Sequence, residues 1–102
     1  MQVMTTVEDR DDADRLARGA VEARLAACAQ VIGPVSSTFW WEDALQSVQE
    51  WQVLFKTAAD RYEDLVAGLA QEHPYDEPEI IATAIVAGSP GYLGWLRAET
   101  RT

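Results

Sequence analysis

The chain holds one cysteine, Cys28, and one histidine, His73. A lone cysteine excludes an internal disulfide, and a lone imidazole excludes a multi-histidine metal site within one copy. Positive charge is scarce too: eight Lys and Arg face seventeen Asp and Glu, a net charge of −9. A field of that sign repels phosphate backbones and anionic lipid, so neither nucleic acid nor membrane is an expected partner. It gathers cations near the surface, but diffusely. No apolar run approaches the roughly 20 residues of a membrane span. The opening "MQVMTTVEDR" lacks the basic-then-apolar order of a signal peptide. With its free thiol, the chain is expected in a reducing, cytoplasmic setting. GxxxxGK, GxGxxG and CxxC are all missing. A Ser-His-Asp triad would have to use His73, and nothing sets a nucleophile beside it. A binding or regulatory protein is therefore expected before an enzyme.

What is present reads as a folded chain. Its 102 residues are 48% apolar and 25% charged, ordinary values for one domain spanning 1–102. "MQVMTTV" is β-branched and reads as a short strand. Ala13, Leu16, Ala17, Ala20, Val21 and Leu25 then recur at the spacing of one helix face. Asp9, Asp11 and Asp12 stand at the start of that helix, where acids suit its dipole. "AQVIGPVSSTFWW" is extended, with a bend or bulge expected at Gly33-Pro34. "EDALQS" joins it to "VQEWQVLFK", and together they read as a long hairpin. Tyr62, Leu65, Val66 and Leu69 mark a second helix, with Asp60 as its expected N-cap and Glu63 completing a capping box. Pro74 ends it. "PEIIATAIVA" is the last full strand, and Ser89-Pro90 opens a short closing helix.

Strand-helix-strand, written twice in about 100 residues, predicts an α+β fold: the ferredoxin-like split βαβ sandwich, βαββαβ plus a short C-terminal helix. Two helices cover only one face of such a sheet, so the other face should be polar. It is not. In the last strand Ile81, Thr83 and Ile85 point one way and Ile80, Ala82, Ala84 and Val86 the other. Leu54 likewise interrupts the polar side of the third strand, opposite Trp51, Val53 and Phe55. Two apolar faces and one layer of helices call for sister copies, and a homo-oligomer is expected.

"RLAACAQV", "STFWWED", "EWQVLFKT", "HPYDEPEIIA" and "GYLGWL" follow one another between Thr5 and Leu96. In that order they resemble the CutA divalent-cation tolerance family. The HPY-x-x-PE frame and the paired "WWE" are the most specific parts. The resemblance implies a homotrimer similar in architecture to the PII nitrogen-signalling proteins. It also implies a role in the response to metal ions, with copper or another divalent cation as the bound species. The sequence departs from the family at three places. Members usually carry more residues before the first strand, so the natural start is expected upstream. The turn "EDALQ" lacks the usual glycine, and no cysteine beyond Cys28 is available for a multi-thiolate copper site.

Several residues bear weighing one by one. His73 ends the second helix between prolines and acids. It reads first as a cap for the last carbonyls and second as a metal ligand, helped by Asp76, Glu77 and Glu79. Cys28, among alanines at the expected end of the first helix, reads as a small apolar residue or as a soft thiolate for copper. Trp40 and Trp41 are adjacent and so face opposite ways in a strand. One can be core and the other must meet a partner subunit or a pocket; interface packing is the first reading, and stacking on a bound ligand, with Trp41 as the candidate, the second. Glu50 and Lys56 share a strand face about 20 Å apart. They cannot meet in one copy, but across copies Trp41, Glu50, Lys56, Tyr75 and Glu79 could line one inter-subunit cleft. A structural salt-bridge network is the plainer alternative. A PII-like sensor of small molecules and an uncharacterised enzyme in the same clefts are the rival functions.

Overall fold

A computed structural model describes residues 1–101. The elements run β1 (Gln2–Val7), α1 (Arg10–Glu22), β2 (Cys28–Trp41), β3 (Ala44–Lys56), α2 (Tyr62–Glu72), β4 (Ile80–Thr83) and α3 (Pro90–Glu99). The four strands form one antiparallel sheet in the order β2-β3-β1-β4. That is the strand order of the split βαβ sandwich.

Period-two alternation places Val3 and Val7 of β1, and Val53 and Phe55 of β3, on the helix-covered side. They pack there against Ala13, Leu16 and Ala20 of α1 and Leu65 and Leu69 of α2. A satellite cluster of Ala27, Ala58 and Leu96 seats α3.

α1 is shorter than its apolar spacing predicts. It ends at Glu22, and Arg24 turns left-handed with φ 62°. The Leu25 amide then bonds the Ala20 carbonyl at 3.0 Å and the Arg24 amide bonds the Val21 carbonyl at 3.1 Å. This is a Schellman ending built without the glycine that normally announces one. In consequence Cys28 opens β2 instead of closing a helix.

The expected cap of α2 is corrected as well. Asp60 lies in a 3-10 turn, Ala59–Arg61, and α2 begins at Tyr62 with no side-chain cap. Asp60 accepts two hydrogen bonds from the Arg101 guanidinium at 3.1 Å instead. At α1 the Asp9 side chain does cap, accepting from the Asp11 amide at 2.9 Å. Ser89 stands at the N-cap of α3 but makes no side-chain cap bond.

The β2–β3 hairpin is longer than expected. Its turn is only Glu42 and Asp43, at φ 49° and 62°, the two positive values of a type I′ turn. A register shift between Ile32 and Val35 marks the bulge at Gly33-Pro34. β1 runs out opposite Trp51, so the outer part of the hairpin projects as a free arm. β4, Ile80–Thr83, is shorter than expected. Its pairing with β1 ends at Thr83, opposite Gln2.

The face without helices carries the row Leu54–Met4–Ile81 across three strands. Ile81 is 50% exposed and Ile32 is 44% exposed. On the arm Trp40 pairs with Leu45, and these are 71% and 62% exposed.

Candidate functional site

A cleft of about 540 Å³ opens on the helix-free face where the arm leaves the sheet. Alternation along β3 aims Gln46, Val48 and Glu50 into it, and Phe39 stands across the ladder from Gln46. Trp41 lines the wall further out, the end of β1 contributes Thr6 and Glu8, and the loop before β4 contributes Tyr75, Asp76, Glu77 and Glu79. Five carboxylates therefore line the cleft (Glu8, Glu50, Asp76, Glu77 and Glu79), with no Lys, Arg or His among the described lining residues.

The "HPYDEP" frame sets the far wall. α2 stops at Glu72 and His73 turns extended, because the residue before a proline avoids helical geometry. The His73 Nδ1 accepts from the Tyr75 amide at 3.1 Å. That leaves the proton on Nε2, which donates to the Thr5 hydroxyl at 2.9 Å. The two rings lie 4.9 Å apart. Burial lowers the His73 pKa; the Thr6 backbone and Asp12 pull it up, Arg15 adds to the lowering, and Glu50 pulls up again. The imidazole is thus a neutral brace between helix end and strand. It holds Tyr75 so that its hydroxyl donates to Glu50 Oε2 at 2.8 Å. Burial, and then the hydrogen bond to Glu50, raise the Tyr75 pKa. The phenol therefore stays protonated and remains a donor.

Trp41, Glu50, Tyr75 and Glu79 come together in this cleft. Lys56 does not line it: at the other end of β3, its ammonium donates to Gln30 Oε1. Cys28 is the register partner of Lys56 and is half-buried at that far end. His73 is 9% exposed, with both ring nitrogens engaged, beside Thr5 of the core side. One copy thus keeps the two residues expected at a metal apart. No group of three or more His, Cys, Asp or Glu is arranged to hold a metal ion among the described residues. Sequence reasoning missed Thr6, Glu8, Phe39, Gln46 and Val48. The signal for three of them was available: Val48 and Gln46 precede Glu50 by two and four residues and so share its face, as Phe39 shares that of Trp41.

The CutA1 divalent ion tolerance protein family model matches residues 1–99. The divalent-cation tolerance protein CutA of Pectobacterium atrosepticum is 36% identical over 99 residues, covering 97% of this chain and 90% of that protein. The chloroplastic CutA protein of Arabidopsis thaliana is 37% identical over 99 residues, and the match covers 97% of this chain but 54% of that longer protein. Among solved structures, the divalent cation tolerance protein of Thermus thermophilus superposes with a TM-score of 0.94 at 35% identity, covering 99% of this chain and all of that one. No helix among the described residues is long and apolar enough to cross a membrane.

Proposed function

This chain belongs to the CutA1 divalent ion tolerance family, and on that premise we propose that it serves divalent-cation tolerance as a homotrimer, binding copper or another divalent cation. The observation that carries the reading is the cleft itself, five carboxylates without a basic residue among the described lining residues. Such a field draws cations to one place instead of spreading them over the surface. Among the described residues one copy holds no metal cage, so firm chelation calls for ligands from more than one copy. Cys28 remains open to that role. His73 would first have to give up a hydrogen bond to Thr5 or to the Tyr75 amide. The free thiol suits a reducing compartment such as the cytoplasm.

Exposed apolar surface supports the trimer: the Trp40–Leu45 pair on the arm, and Ile32 and Ile81 on the open face. Sedimentation at fixed protein concentration tests it, and Trp40→Lys with Leu45→Lys should shift the mass toward the monomer. Calorimetry with Cu²⁺ tests the metal. A saturable heat lost in Cys28→Ala, or in Glu50→Gln with Glu79→Gln, supports binding. Equal, weak heats in every variant would leave only diffuse attraction. The aromatic wall of Phe39, Trp41 and Tyr75 favours a second reading, a PII-like sensor of small molecules, because a bare ion has no use for such a wall. An enzyme in the same cleft would need a basic group such as Lys56 from a neighbouring copy.

A further inference from the structure

We draw no further inference here: the strongest candidate, the apolar groove between α1 and α2 lined by Leu16, Gly19, Leu65, Gly68 and Leu69, is an unpartnered helix face, and nothing among the described residues shows what covers it.

Discussion

Replacing Tyr75 by phenylalanine removes one hydroxyl and little else. The ring keeps its volume and its contact with the His73 imidazole, 4.9 Å away. What is lost is the 2.8 Å hydrogen bond to Glu50 Oε2, at a carboxylate that is 6% exposed. Hydrogen bonds to charged groups contribute about 1.5–3 kcal/mol, and an orphaned buried partner adds its own desolvation cost. Tyr75→Phe should therefore destabilise the protein by about 2 kcal/mol, which for a chain of this length lowers Tm by roughly 10 °C. Urea unfolding at fixed protein concentration measures it, because any oligomer makes stability concentration-dependent. The midpoint should fall while the slope stays constant. In a Glu50→Gln background the same substitution should cost at least about 1 kcal/mol less, since the charge that made the bond strong is gone. A loss under about 0.5 kcal/mol, or strict additivity with Glu50→Gln, would refute the account of Tyr75 as the support of a buried carboxylate.

Gly33→Ala should destabilise by about 1–3 kcal/mol: Gly33 has φ 152°, and a Cβ there would meet Trp51 Cε3 at 2.9 Å and the Glu50 carbonyl at 3.1 Å. Chemical denaturation would read that loss, and a neutral result would mean the bulge readily shifts. Phe55→Ala, at a fully buried core position, should cost about 3–5 kcal/mol by the same method. His73 should make stability pH-dependent, because its folded pKa is lowered from 6.5, with burial the main cause. As pH falls below 6.5 the unfolded chain takes up the proton first, so stability is lost from there down to the folded pKa and is flat above. The difference between the wild type and His73→Gln in pH-dependent unfolding should show that slope, and parallel curves would contradict the brace.

Much of the fold was legible because local periodicity carries it. Ala13, Leu16 and Ala20 on α1, and Leu65 and Leu69 on α2, were readable as buried faces from helical spacing alone. The hairpin was readable from two β-rich runs on either side of "EDALQS", though not its tight turn at Glu42 and Asp43. The boundaries were less legible. Arg24 closes α1 in a conformation that glycine usually signals, and the Asp60 carboxylate turns to Arg101 instead of the α2 amides. Of the cleft, Trp41, Glu50, Tyr75 and Glu79 were nameable as a group, but as one shared between copies and with Lys56 among them. Phe39, two residues before Trp41, shared its strand face; Glu8 carried no local signal.

The sequence by itself determined the alternation of strands and helices, the acidic balance, and an apolar sheet face too large for two helices to cover. These follow from side-chain periods of 2 and 3.6, which are properties of short stretches. Only the tertiary structure decided that the end of β1, the arm and the loop after α2 converge on one cleft. It alone gave His73 to Thr5 and Tyr75. Those outcomes depend on strand register and on where a pairing partner runs out, and both are set between segments distant along the chain.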